Sequence, residues 1–385
     1  MNMHLNRKIR VLQTIHQGKV GGGERHVLDL VSCMDKSRFE PIVLSFTDGP
    51  MITALRQMQV PAYIIPTERS FDVRVWRKVR QFLIDHRIDV VHVHGSRANT
   101  NVLWMARSLG IPTIYTVHGW SFHNDLSFFT RRARMAAEQF ITRRTMVNIT
   151  VSEANRQTGL KAFGRFRSIV IRNGVNLGRF NPDSISGHRL RRSFGFTEDD
   201  IVIGFIVRMT LQKDPLGMIR AFALAAGQET RLKLLMVGEG ELKHAAIALA
   251  NDLGLEGAVI FDDFREDIPE VLKAIDIYCL PSLWEGFPIG VLEAMAMGRA
   301  IIATDVDGTR EAIDDEVSGL LIPPKDTVAL SAAILKLAHN NSLRARLQEA
   351  ALRKVRSEYS ITTMTEKVEA VYTQLYYQKK IFAST

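Results

Sequence analysis

Glu285 and Glu293 stand in the stretch LWEGFPIGVLEAMAMG with seven residues between them. Trp284 through Pro288 reads as a Gly/Pro loop and Gly290 through Met297 as a helix start, so one carboxylate precedes a helix N-terminus and the other lies about one turn inside it. Free first-turn N–H groups and the positive end of the helix dipole attract phosphate. Ionised carboxylates only accept hydrogen bonds and so suit sugar hydroxyls. The ligand this chemistry fits is a sugar carried on a diphosphate. A loop glutamate followed by one that complements the helix dipole is the plainer account of the same pair. Arg208 and Lys213, in GFIVRMTLQKD, follow an expected strand five positions apart and precede a helix. A guanidinium fork and a compact ammonium suit a diphosphate better than a monoanion. In a partly dehydrated site each would stabilise developing leaving-group charge about as an oxyanion donor does.

His118, in TVHGW, follows an expected strand and precedes a glycine, which directs it to a cleft rather than to a core; its neutral imidazole can donate to a sugar hydroxyl or act as a base. His92 and His94 alternate along DVVHVHG and read as packing or supporting groups at a strand end. Gly21-Gly22-Gly23-Glu24 opens a helix after the first strand, where glycine lets backbone approach a ligand. The G-x-G-x-x-G of dinucleotide folds is absent, and GEGE at Gly238 to Glu241 does not supply it. No metal site is expected, because Asp262-Asp263 and Asp305-Val306-Asp307 lack a convergent third ligand. Cys33 and Cys279 offer neither a disulfide framework nor a metal spacing.

These residues need elements to carry them. Short β-branched runs alternate with longer helical patterns, the signature of parallel sheets with crossover helices. The first series is Ile9–Ile15, Pro41–Phe46, Tyr63–Ile65, Val90–His94, Thr113–Val117, Val147–Val151 and Ser168–Ile171. The second is Ile201–Val207, Leu232–Val237, Val259–Phe261, Ile277–Leu280, Ile301–Ala303 and Leu320–Ile322, after a polar stretch from Asn176 to Gly187 that reads as a linker. At 385 residues two domains are expected. We place them at 1–178 and 179–361, with a closing helix over about 362–385, marked by Val368, Val371, Leu375 and Tyr376, returning to the first. Two such α/β sheets leave a cleft at the carboxyl ends of their strands, where ligands of these folds bind.

A composition 46% hydrophobic and 24% charged is that of a soluble globular chain. No apolar run reaches the ~20 residues of a membrane span, and the polar start MNMHLNRKIR lacks the apolar core of a signal peptide, so a cytoplasmic location is expected. Residues 1–175 hold 26 Lys and Arg against 12 Asp and Glu, while the remainder is net acidic. Clusters at Arg74, Arg77, Lys78 and Arg80, at Arg131, Arg132 and Arg134, and at Arg143 and Arg144 are interleaved with Val75, Trp76, Phe128, Phe129 and Phe140. Such segments fit an anionic membrane surface or simply solvated helix faces. Nucleic acid is not expected as a partner, since no recognition signature accompanies the charge.

The order GGGE, DVVHVH, TVHG, VSE at Val151 to Glu153, RNGV at Arg172 to Val175, R-x4-K, VGEGE and E-x7-E followed by AMAMG resembles glycosyltransferase family 4 over nearly the full length. The resemblance implies the GT-B architecture of two Rossmann-like domains. It implies a nucleotide-diphosphate sugar held mainly by the second domain, an acceptor (a glycan or lipid-linked sugar) against the first, and no metal or other cofactor. Carried over, Glu293 would accept from the ribose hydroxyls and Glu285 from a hydroxyl of the donor sugar. Arg208 and Lys213 would neutralise the diphosphate, approached closely by Gly22, Gly23 and the amides at Phe287 and Ile289. Phe264 lies in the loop that would abut the base through backbone, and His118 would contact the transferred sugar. Members of this kind retain anomeric configuration by front-face attack, in which a leaving phosphate oxygen takes the acceptor proton. UDP is favoured over GDP by family usage. Pro288, Val207 and Asp214 stand where many members have glycine. An epimerase of the same fold, or a sugar-nucleotide binder without catalysis, would share most of these features.

Overall fold

The computed structural model describes residues 7–19, 21–123 and 126–383. Part of the polar start and the last two residues of the expected closing helix lie outside the described residues. The chain divides into two compact units, one of residues 1–173 with 361–385 and the other of 174–360.

In the first unit the strands are β1 (Ile9–Ile15), β2 (Phe39–Ser45), β3 (Ala62–Ile64), β4 (Val90–His94), β5 (Thr113–Val117), β6 (Val147–Thr150) and β7 (Ser168–Val170). All pair in parallel, in the order β3-β2-β1-β4-β5-β6-β7. The two-residue period of a strand sends alternate side chains to opposite faces. Val11, Ile15, Val43 and Val90 join one apolar layer with the helices Gly22–Cys33, Pro50–Gln57 and Ile361–Ala383. Leu12, Leu44, Val91 and Val93 join the other, under the helices Val73–Asp85 and Ser96–Ser108. Met364, Val368, Tyr372 and Leu375 are the buried stripe of the final helix, spaced as one face of a 3.6-residue period requires.

The second unit holds β8 (Ile201–Ile206), β9 (Leu232–Val237), β10 (Val259–Asp262), β11 (Ile277–Leu280), β12 (Ala300–Thr304) and β13 (Leu320–Ile322), parallel in the order β10-β9-β8-β11-β12-β13. The stretch expected as a linker, 176–187, belongs to this unit: Phe180 is buried, Arg179 donates to the Glu266 carbonyl at 2.8 Å, and Lys273 to that of Pro182 at 2.8 Å. Its Asn/Pro/Ser composition reflects turns rather than freedom. In both sheets the strand order reverses beside the first strand, between β1 and β4 and between β8 and β11. Loops at the carboxyl ends there diverge and leave room for a ligand.

Candidate active site

In the second unit the expected donor residues occupy one rim, the carboxyl edge of the sheet. Arg208 follows β8, is exposed, and its guanidinium has no ion-pair or hydrogen-bond partner among the described residues. Lys213 ends a 3-10 turn, Leu211–Lys213, and its ammonium bonds Glu285 Oε1 from the loop after β11. The side chains are 19% and 7% exposed, so the pair is largely desolvated. One backbone and one side-chain hydrogen bond hold the two loops together: Leu283 N donates to Gln212 O at 2.7 Å, and Gln212 Nε2 to Trp284 O at 2.7 Å. Lys213 and Glu285 are thus brought together across the strand-order reversal, 72 residues apart in sequence.

Neighbouring loops extend the rim on both sides. Gly238 and Gly240, in left-handed backbone at φ 136° and 157°, press on the segment that carries Arg208; a Cβ would lie 2.3 Å from Val207 O and 2.2 Å from Met209 O. This is the work of GEGE, a packing requirement in place of a dinucleotide motif. Lys243 links Glu239 and Asp263, and Arg265 links Asp262 and Asp267, which fixes the loop that leaves Phe264 44% exposed. On the other side a Cβ at Gly308 would lie 1.9 Å from the Gly286 carbonyl.

The helix Ile289–Ala296 starts at Pro288 with no side-chain cap. Its first-turn N–H groups are the intrahelical orphans to which an anion binds. Phe287 and Ile289 are only 3% and 9% exposed, and Phe287 packs edge-on against Tyr359 at 5.3 Å. What these two positions can offer a ligand is backbone. Glu293 is half-buried one turn in. Below it Tyr278 is fully buried, and burial, followed by the charges of Glu293 and Glu285, pushes its hydroxyl well above the ordinary range. Asp214 adopts φ 51° and ψ 56°, a region glycine reaches freely and Asp tolerates, and its Oδ1 accepts from Gly217 N at 3.0 Å to cap the helix Pro215–Ala226. That cap gives the departure from glycine a structural reason. Val207 packs against the core.

In the first unit the period of the strands gathers polar groups on the face covered by the final helix. His94 Nδ1 lies 3.1 Å from His118 Nε2, and His94 Nε2 lies 2.9 Å from Gln13 Oε1. Gln13 Nε2 donates to the Tyr372 hydroxyl at 2.8 Å; His92 Nδ1 is 2.6 Å from that hydroxyl and its Nε2 is 2.7 Å from Thr116 Oγ1. His118 is half-buried just past β5, with Gly23 beside its ring. A Cβ at Gly22 would meet nothing within 4 Å, so no contact inside the protein demands glycine there. Burial lowers the pKa of His92, His94 and His118 well below the usual histidine range and that of His26 to about 4, so the four rings are neutral at pH 7. Gln13, His26 and Tyr372 were not anticipated from sequence. Only the register of three strands and a helix more than 350 positions away brings them in.

Residues 20–179 match the family described as Glycosyltransferase Family 4, and residues 188–354 that described as Glycosyl transferases group 1. The putative glycosyltransferase EpsD of Bacillus subtilis (strain 168) is 32% identical over 320 residues, covering 80% of this chain and 84% of that protein. The chain belongs to glycosyltransferase family 4. This family 4 glycosyltransferase is also 25% identical over 387 residues to the UDP-Gal:alpha-D-GlcNAc-diphosphoundecaprenol alpha-1,3-galactosyltransferase of Escherichia coli, spanning 97% and 98% of the two chains. In fold it is similar to HepE of Anabaena, solved in complex with UDP and glucose, with a TM-score of 0.85, 22% identity, and coverage of 95% of this chain and 100% of that one. Its two parallel α/β units are those of the GT-B architecture. Among the described residues no helix is long and apolar enough to cross a membrane.

Proposed function

We propose that this glycosyltransferase moves a hexose-type sugar from a UDP-sugar to a glycan or lipid-linked acceptor, with retention at the anomeric carbon, in the assembly of a surface polysaccharide or glycolipid. The observation that carries the reading is the desolvated Lys213–Glu285 pair beside the exposed Arg208 and the uncapped helix at Ile289. Two cations and the amides at the start of the helix Ile289–Ala296 meet the diphosphate. Glu293 accepts from the ribose, and Glu285 orients both Lys213 and a hydroxyl of the donor sugar. The exposed ring of Phe264 and its loop flank the base. His118, held neutral, contacts the transferred sugar. The acceptor oxygen bonds to the anomeric carbon on the face from which the diphosphate departs, and a phosphate oxygen takes its proton. No metal and no protein base is needed in this scheme. UDP is favoured because HepE was solved with it and the Escherichia coli relative is named for UDP-Gal.

Ligands that bind only the native state raise its melting temperature. UDP at 100 times its Kd is therefore expected to stabilise by about 2.7 kcal/mol, with no change when excess EDTA is present, and a panel of UDP-sugars and polyprenyl-diphosphate acceptors is expected to yield an α-linked product by NMR. No shift with UDP or GDP, or strict dependence of transfer on Mg²⁺ or Mn²⁺, defeats the proposal.

The same reading places the acceptor at an anionic membrane surface. Phe128 and Phe129 are 65% and 82% exposed at the start of the helix Phe128–Arg144, beside Arg131 and Arg132. Arg74 is paired with Asp72, and Arg144 lies 3.7 Å over the Phe140 ring, so those two cations are already engaged. Sedimentation with phosphatidylglycerol vesicles is expected to fall steeply with salt and on Phe128→Ser with Phe129→Ser. Failure to bind at low salt removes the membrane step.

A further inference from the structure

We infer that His26, His94 and His118 form a binding site for a divalent transition-metal ion of the Zn²⁺ class, occupation of which withdraws His118 from the sugar and so inhibits transfer. One ring nitrogen from each of the three lies within 4.8 Å of the other two. The rings come from three separate elements: His26 from the helix Gly22–Cys33, His94 from the end of β4, and His118 from the loop after β5. Ring centroids are 4.8 to 5.4 Å apart.

The far side of two of the rings is set for ligation. His26 Nδ1 is 3.1 Å from Asn173 Oδ1, and His94 Nε2 is 2.9 Å from Gln13 Oε1. An amide oxygen can only accept, so each of these nitrogens carries the proton and the opposite nitrogen keeps its lone pair. That is the arrangement in which outer hydrogen bonds orient metal-ligating histidines. His26 Nε2 is buried and has no hydrogen-bond partner among the described residues, on a side chain whose residue is only 4% exposed. It is an acceptor with nothing yet to accept. Tetrahedral zinc with Zn–N near 2.0–2.1 Å sets its nitrogens about 3.3 Å apart. His94 Nδ1 and His118 Nε2 are already 3.1 Å apart, so His26 makes most of the remaining approach.

Three neutral imidazoles suit Zn²⁺, Ni²⁺ or Cu²⁺ and disfavour Mg²⁺ and Ca²⁺, which take oxygen ligands. Half-buried His118 leaves a way in, and a fourth position remains for water. His118 Nε2 donates to His94 Nδ1 in the empty site, and that proton moves to His118 Nδ1 as the ion binds, so all three imidazoles ligate in the neutral form. The inhibitory consequence rests on the proposed sugar contact of His118; the binding itself does not.

Full-length protein, stripped with EDTA and dialysed, is titrated with Zn²⁺ against a chromophoric chelator and separately with Co²⁺, whose visible absorption reports tetrahedral coordination. The expected result is one ion per chain with micromolar or tighter affinity. His26→Gln should lower affinity at least 100-fold and Asn173→Ala by about 10- to 100-fold, with circular dichroism confirming that both variants fold. Binding weaker than about 100 µM, or affinity unmoved in a folded His26→Gln, overturns the site. Stoichiometric binding that leaves transfer untouched upholds the site and overturns the inhibition together with the sugar contact of His118.

Discussion

Lys213→Ala is expected to lower both turnover and stability, whereas Arg208→Ala lowers turnover alone. Removing Lys213 leaves Glu285, 7% exposed, without its counter-charge. Breaking a buried pair from one side costs about 3 kcal/mol, which for a unit of this size is a fall in Tm of roughly 10 °C. Lys213→Met with Glu285→Gln removes both charges and should recover most of that fall without recovering transfer. Arg208 is exposed and has no side-chain partner to strand among the described residues. Its alanine variant should melt within about 2 °C of wild type, a surface-like effect, and lose about 100- to 1000-fold in kcat if it meets the leaving phosphate. Differential scanning calorimetry and steady-state transfer assays decide the matter. Undiminished kcat in Arg208→Ala removes its leaving-group role, and an unmoved Tm in Lys213→Ala means the ion pair is open in solution.

Mild acid is expected to destabilise the first unit. In the unfolded chain His26 titrates near 6.5, and in the folded chain burial lowers it to about 4. Between those values the unfolded state holds more protons, so stability is full above pH 7 and falls as pH drops toward 4. His26 alone then accounts for about 3 kcal/mol. His92, His94 and His118 shift in the same direction, again chiefly through burial. Burial raises the carboxyl of Glu138, which acts in the opposite sense and offsets part of the loss once that group protonates. Hydrogen exchange at pH 7.5 and pH 5.0 tests this: protection should weaken in β4, β5 and the final helix, and His26→Gln should flatten the dependence. Equal protection at the two pH values would show that the rings ionise without cost.

Periodicity made the parallel strands legible, because an α/β sheet buried on both faces leaves unbroken apolar runs; β1 and β4 begin and end where Ile9–Ile15 and Val90–His94 set them. Strand ends such as Phe39 and Ala62 moved by a residue or two, since hydrogen bonding extends past the apolar run. Glu285 and Lys213 could be nominated from residue type, but their ion pair depends on β8 lying beside β11, which no local window contains. The histidines illustrate the same limit. His92 and His94 were read as supporting groups, yet their partners Gln13 and Tyr372 sit at the two ends of the chain. Asp262, Asp263 and Asp305, weighed as metal carboxylates, bond Arg265, Lys243 and Arg310.

Tyr372 and its helix give the protein a constraint during its own synthesis. The apolar layer formed by Val11, Val27 and Val43 is closed by Met364, Val368 and Leu375, residues translated only after the whole second unit. At ~5–20 residues per second, the nascent first unit waits on the order of ten seconds or more with that layer uncovered, while the whole second unit is translated. Chains stalled before residue 361 would carry all seven strands but one apolar face only partly covered, and such species aggregate.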